Sequence, residues 1–199
     1  IREQYPKLKN YLLSGNFDTE KRTSAVNSLK GRGRRVTAEI TIPREVLERN
    51  LRITPEAMHY GQGITTLASF LTQSSNNAAH PANGLAALYL ATGQDIANIG
   101  ESNQCTTYNR VTRDGDYFFS VTLPALIVAS YGGGTNLPTQ RECLQIRDCH
   151  GKGKALKLAE IAAGLVVAGE LSLGAATRVD KETRQNEWVD AHERLGRNR

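Results

Sequence analysis

Cysteine is scarce in this chain and poorly spaced for chemistry. Cys105, Cys143 and Cys149 are the only three among 199 residues, and none stands in a C-x-x-C pair. An odd number at loose spacing argues against a disulfide framework or a paired zinc site and fits reduced thiols in the cytoplasm. Aromatic residues make up 6% of the chain, and no basic tract interleaves them. That removes the usual footprint of nucleic-acid binding. Long apolar runs are missing as well. The longest uncharged one, residues 161–169, falls far short of the roughly 20 residues a membrane-spanning helix needs, so no membrane anchor and no signal peptide is expected. No lysine occurs between Lys30 and Lys152, and residues 61–80 contain no Asp, Glu, Lys or Arg. The first residue is Ile1 rather than methionine, and we expect the beginning of the protein to be missing.

What remains is ordinary globular material. Lys and Arg total 25 against 20 Asp and Glu, a net charge of +5 that suits an anionic small ligand. The length is enough for one substantial core, and no repeat or composition shift marks a second domain, so residues 1–199 read as a single domain.

Local patterns place the elements. Residues 1–13 space Tyr5, Leu8, Tyr11 and Leu12 for one apolar helix face. Residues 17–23 form a loop with one acid beside two bases. Val36, Ala38, Ile40 and Ile42 alternate with polar neighbours, which predicts a half-buried strand. Pro43 opens a short helix over 44–50, and Thr54-Pro55 supplies an N-cap and a first-turn proline for the next. The uncharged stretch 61–80 reads as a helix or close-packed turn. His80-Pro81-Ala82-Asn83 starts an apolar helix. Residues 116–131 read as a strand with Tyr117, Phe119, Val121 and Leu123 on one face, and Pro124 within it suggests an edge or a break. Gly132-Gly133-Gly134 implies close backbone approach to a phosphate or to a packed helix. Residues 153–176 form the longest helix, so rich in Ala and Gly that its surroundings should close on nearly all sides; Glu170 within it needs a partner. From 178 to 199 the chain is a polar C-terminal segment.

Asp95 is the feature that asks for an explanation. It follows the apolar run 85–91 and is almost alone in charge, so it must be paired, hydrogen-bonded or protonated. Either backbone at a helix end or a cation from elsewhere would satisfy it.

Several segments together carry a resemblance: Leu13-Ser14-Gly15-Asn16 leading to Glu20-Lys21-Arg22, His80-Pro81-Ala82-Asn83, Gly93-Gln94-Asp95, Gly132-Gly133-Gly134-Thr135-Asn136-Leu137, Ala168-Gly169-Glu170-Leu171-Ser172-Leu173, and Ala191-His192 with Leu195-Gly196-Arg197. In this order they resemble the large catalytic domain of the 3-hydroxy-3-methylglutaryl-coenzyme A reductase family, class I type. The resemblance implies an α+β fold, a long central helix wrapped by helices and a small sheet. It implies an oxidoreductase that reduces an acyl thioester, coenzyme A- or carrier-bound, to an alcohol with NADPH or NADH. Lys21 would stabilise the oxyanion, Asp95 would couple to it, and His192 would protonate the departing thiolate. Ser14, Glu20, Arg22, His80 and Asn83 would contact substrate, and Gly132, Gly133, Gly134 and Arg197 the nucleotide; no metal is implied. The family's catalytic glutamate and its small nucleotide domain are expected to be supplied by a second polypeptide in a homo- or hetero-oligomer. A further family lysine, which anchors the substrate's distal carboxylate, should fall between Met58 and His80 and does not, which implies a thioester other than the usual one. A scaffold subunit without chemistry, or a fragment of an ordinary mevalonate-forming reductase, are the competing expectations.

Overall fold

In a computed structural model of the chain, residues 3–9 and 15–178 are described. Within them lie seven α-helices and one three-stranded antiparallel sheet, an α+β arrangement. The sheet order is β1-β3-β2, with β1 over Arg34–Ile42, β2 over Thr106–Val111 and β3 over Tyr117–Leu126. β3 is central, pairing Ile42 with Tyr117 on one side and Val111 with Tyr117 on the other. Its Tyr117, Phe119, Val121 and Leu123 are all buried, as the alternation predicts. On β1, Val36 and Ala38 pack on the core and Ile42 is buried, while Ile40 is exposed.

Pro124 sits in the central strand, and the reason it is tolerated is local. β2 stops pairing at Thr122, and the β1 ladder slips between Val36↔Leu123 and Arg34↔Leu126. The proline therefore occupies an irregularity where its missing N–H costs no ladder bond.

The helices follow their caps. α1 (Ala25–Lys30) begins at Ser24, whose hydroxyl accepts from the Asn27 N–H. α2 spans Arg44–Leu51. α3 spans Pro55–Leu71 and opens with the Thr54 hydroxyl accepting from the Ala57 N–H. α4 spans Pro81–Thr92, α5 Ile99–Ser102, α6 Pro138–Ile146 and α7 Ala155–Ala176. The sequence reading contained no separate α1, α5, α6 or β2. These are short, and their apolar positions are too few to establish a period. Residues 3–9 form turns rather than the expected helix, with Leu8 N–H bonded to the Tyr5 carbonyl and Tyr5 63% exposed.

α7 is roughly 33 Å long. Its Leu158, Ala162, Ala163 and Val166 are fully buried, and it packs against β1, β3, α4, α3 and α2. It has the length and hydropathy of a membrane span, yet 56% of that window is buried inside the fold, as in a core helix. The expected closure on nearly all sides is not met: Glu160, Gly164, Leu165, Ala168 and Ser172 form an exposed stripe.

Glu170 has the partner the sequence asks for. Its carboxylate accepts from the backbone N–H groups of Ala79, at 2.6 Å, and His80. The imidazole of His80 then enters a slot between helices: a Cβ on Gly84 or on Gly169 would lie 2.4 or 2.1 Å from the ring. Buried carboxylate, two amides and slotted ring together hold the start of α4 against the middle of α7. Replacing Glu170 by Ala should lower the unfolding free energy by about 1.5–3 kcal/mol, because two amides lose a charged acceptor. Urea denaturation followed by far-ultraviolet circular dichroism measures this, and an unchanged midpoint would remove the carboxylate from that role.

Candidate functional site

The loop that carries Lys21 is held by long-range contacts. Asn27 is buried, and its side-chain amide donates to the carbonyls of Thr19 (3.1 Å) and Arg22 (2.9 Å). The Thr23 hydroxyl donates to the Gly100 carbonyl at 2.7 Å. Lys21 itself has φ +59, a left-handed conformation uncommon away from glycine and sustained only when surroundings determine it. Gly100 is one of those surroundings: a Cβ there would come within 2.7 Å of the Lys21 carbonyl.

Asp95 arrives from the other direction. α4 ends at Gly93, which takes φ +69, and its backbone presses on the loop of Gly134, 2.2 Å from where a Cβ would stand. The chain then turns, and Asp95 caps a short 3-10 turn by accepting from the Ala97 N–H at 3.1 Å. Its other oxygen lies 3.0 Å from Lys21 Nζ. The two alternatives for Asp95 are thus both realised, backbone and cation. Asp95 is half exposed. The hydrogen bond to Lys21, and then that to Ala97, holds the Asp95 carboxyl below its ordinary range; the hydrogen bond to Asp95 raises the Lys21 ammonium above 10.5.

Glu101 is a feature the sequence reading missed. It is fully buried, one oxygen is 3.4 Å from Arg32 Nε, and the other has no hydrogen-bond partner among the described residues. Its charge adds to the field that raises Lys21. Arg32 also pairs with Glu20 at 3.3 Å. The signal was present: Asp95 and Glu101 are the only two Asp or Glu between Met58 and Asn109, a stretch without Lys or Arg.

The triple-glycine loop adjoins the pair. Residues 132–134, with Gln94, Asp95 and Tyr131, line one cavity of roughly 390 Å³. Of the two readings of these glycines, the packed helix accounts for Gly134, whose Cβ position is 2.6 Å from the Gly93 carbonyl. Gly132 and Gly133 have positive φ and open space where a Cβ would stand, a cradle that leaves room for a ligand.

Other candidate residues lie elsewhere or differ in role. Arg22 donates to Asn16 Oδ1 at 3.0 Å, on the same loop as Lys21. Asn83, exposed, and His80 sit at the first turn of α4, a helix of about 18 Å whose far end leads to Asp95. One chain does not bring them to Lys21. Ser14, His192 and Arg197 lie outside the described residues. Among the described residues no cluster of His, Cys, Asp and Glu could hold a metal ion, and all three cysteines are free thiols, Cys105 and Cys149 buried.

A sequence model of the hydroxymethylglutaryl-coenzyme A reductase family matches residues 1–197. The chain is 42% identical over 205 residues to the 3-hydroxy-3-methylglutaryl-coenzyme A reductase of Pyrococcus abyssi, covering 99% of this chain and 48% of that protein. It is 43% identical to the reductase of Methanothermobacter thermautotrophicus, over 93% of this chain and 45% of that one. The sea-urchin reductase of Strongylocentrotus purpuratus is 36% identical over 88% of this chain and 20% of its own length. The chain therefore spans about half the length of the archaeal relatives it matches.

The coupling of Lys21 and Asp95 can be checked by titration. Asp95 contributes above the ordinary carboxylate pKa and loses that contribution as pH falls through its depressed value. Lys21 contributes below 10.5 and loses it as pH rises through its raised value. The pair persists across the neutral range. In Asp95→Asn the Lys21 ammonium should titrate at lower pH than in the parent, read from the lysine Cε resonance by NMR; an unmoved resonance would show the ion pair does not form.

Proposed function

Because the chain belongs to the hydroxymethylglutaryl-coenzyme A reductase family, we propose that it supplies part of an active site that reduces an acyl thioester to an alcohol. The observation that carries this is the Lys21–Asp95 ion pair beside the glycine-lined cavity. Two hydrides are needed: the first converts thioester to aldehyde with release of a thiolate, the second converts aldehyde to alcohol. At each addition the carbonyl electron pair moves to oxygen, and the Lys21 ammonium stands ready to stabilise that oxyanion. Asp95 keeps the lysine charged and oriented, and Glu101 and Glu20 reinforce the field. His192 would protonate the departing thiolate. NADPH or NADH, when bound, supplies hydride; Gly132 and Gly133 offer the open backbone that would hold it, with Arg197 as a further contact.

The chain acts in an assembly on this reading. His80 and Asn83 are at one end of α4 and Asp95 at the other, so a substrate touching all three needs more than one chain. The exposed face of α3 supports it: Tyr60, Ile64, Leu67, Phe70 and Leu71 are each more than half exposed, a contiguous apolar surface of the kind that marks interaction sites. The partner is a second copy or a polypeptide that brings the family's catalytic glutamate and nucleotide domain.

The test is NADPH and NADH oxidation followed by absorbance, with acyl-CoA thioesters, for this chain alone and mixed with a polypeptide carrying the other half of the family's catalytic region. Thioester-dependent oxidation is expected in the mixture, and Lys21→Ala should lower kcat by roughly 10²–10³-fold. Oxidation that ignores the thioester, or a Lys21→Ala mixture as active as the parent, would refute the assignment.

A further inference from the structure

The loop that presents Lys21 is built from conformations a chain does not hold unaided. Asn16, Thr19 and Lys21 all have left-handed backbone, at φ +67, +56 and +59. Such residues persist only where the surroundings over-determine them. Asn27 secures the carbonyls of Thr19 and Arg22, on either side of Lys21. Arg32 secures what precedes it. Its Nη1 donates to the Asp18 carbonyl at 3.0 Å, and its Nη2 lies 3.3 Å from a carboxylate oxygen of Glu20. Its Nε is 3.4 Å from Glu101 Oε1. Each guanidinium nitrogen is thus engaged, in directions that a rigid planar fork fixes and a lysine ammonium on a flexible stem does not.

Both members of the Arg32–Glu101 pair are anchored on the end of β3. Arg32 stands between Gly31 and Gly33, which have positive φ; a Cβ on Gly33 would lie 2.4 Å from the Leu126 carbonyl oxygen, and one on Gly31 3.1 Å from that of Pro124. Glu101 belongs to α5, whose Ser102 hydroxyl donates to the Ala125 carbonyl at 3.4 Å and accepts from the Ile127 N–H at 3.0 Å. The irregular end of β3 around Pro124 is therefore a fixed point, and Arg32 is a link from it to the lysine loop.

Stability does not account for this pair. Glu101 is fully buried, and Arg32 is its one ion-pair partner among the described residues. An ion pair with a buried member adds little over two apolar side chains, because desolvation offsets the attraction. What it supplies is geometry. A carboxylate enclosed by packing holds one nitrogen of the fork, and the other two then mark where the loop must lie.

We infer that Arg32 is a positioning residue for Lys21: clamped by Glu101, it fixes residues 18–20 and so brings the Lys21 ammonium to Asp95. Its bearing on catalysis rests on the reductase reading above; its bearing on the ion pair does not. Position and charge differ here in sign. Arg32 is itself a cation, so by charge alone its removal would raise the Lys21 pKa or leave it unchanged. By position its removal frees the loop, parts Lys21 from Asp95 and lowers that pKa.

The experiment follows the Lys21 Cε resonance through a pH titration of the full chain, the signal assigned by its absence in Lys21→Ala. In Arg32→Gln, Lys21 should titrate at lower pH than in the parent. Arg32→Gln leaves Glu101 buried without a cation and can fail to fold. Arg32→Lys keeps the charge, loses only the fork, and should also lower the Lys21 titration. Glu101→Gln should shift the backbone amide resonances of Thr19 and Glu20, which Glu101 reaches through Arg32. In the mixture that tests the reductase, Arg32→Lys should lower kcat by roughly 10²-fold, the effect of displacing a catalytic group by about 1 Å, with an unchanged circular dichroism spectrum. A parent mixture without thioester-dependent oxidation sinks the reductase reading alone, and the titration then decides the positioning. A Lys21 titration unmoved or raised in Arg32→Lys, unshifted loop amides in Glu101→Gln, or an Arg32→Lys mixture as active as an active parent would overturn the inference.

Discussion

The candidate site depends on a carboxylate that is not in it. Glu170, buried in the middle of α7, accepts the backbone N–H groups of Ala79 and His80. A buried carboxylate is costly unless its lone pairs are used, and amides at a helix start are suited to the task because the positive end of the helix dipole points at it. The same contact fixes the first turn of α4 to α7, and the His80 ring locks it by entering the space left by Gly84 and Gly169. From there α4 is a rigid rod of 12 residues, buried along Leu85, Leu88 and Tyr89. Its far end therefore stands where Glu170 and the core place it. Gly93 and Asp95 inherit that position.

Lys21 is placed by a different set of constraints, and the two sets meet at one ion pair. Asn27, Thr23 and Gly100 hold the lysine loop against α5, while Gly93 and Gly134 hold the aspartate turn against the glycine loop. The pair is partly solvated, so its strength alone could not organise either segment, because solvent screens the attraction between exposed charges. The order of cause runs from backbone close approach to charge placement. That explains why three of the contacts involve glycines where a methyl group would collide with a carbonyl. It also explains why Lys21 tolerates a left-handed backbone.

Sequence reveals some of this directly and hides the rest for physical reasons. The strand at Val36–Ile42 and the face of Tyr117, Phe119, Val121 and Leu123 were legible because a period of two repeats over several residues. The α3 start was legible because Thr54-Pro55 is local capping chemistry. Asp95 was conspicuous as a charge in an uncharged stretch, and a partner for Glu170 could be demanded but not named, since its partners are backbone amides 90 residues earlier. α1, α5, α6 and β2 were hidden by shortness. Glu101 was overlooked because its burial comes from tertiary packing. The slots for His80 and Arg178 are formed by glycines on two helices each, a coincidence that no local window contains.

The glycines of α7 acquire separate meanings once the fold is in view. A helix so thin suggests contact on every side, yet Gly164 faces open space and an exposed stripe runs through Ala168 and Ser172. Gly169 and Gly174 instead each admit one side chain, an imidazole and a guanidinium. Helix propensity is lost at both, by roughly 1 kcal/mol per glycine relative to alanine. For Gly169 the loss is offset within the chain, because the His80 ring completes the grip of Glu170 on α4. At Gly174 the guanidinium it admits loses hydration and gains the Gln62 side-chain oxygen together with the charge of Glu170. Both slots therefore join α7 to a neighbouring helix, to α4 through His80 and to α3 through Arg178, and the propensity lost at each glycine is the cost of letting that side chain enter.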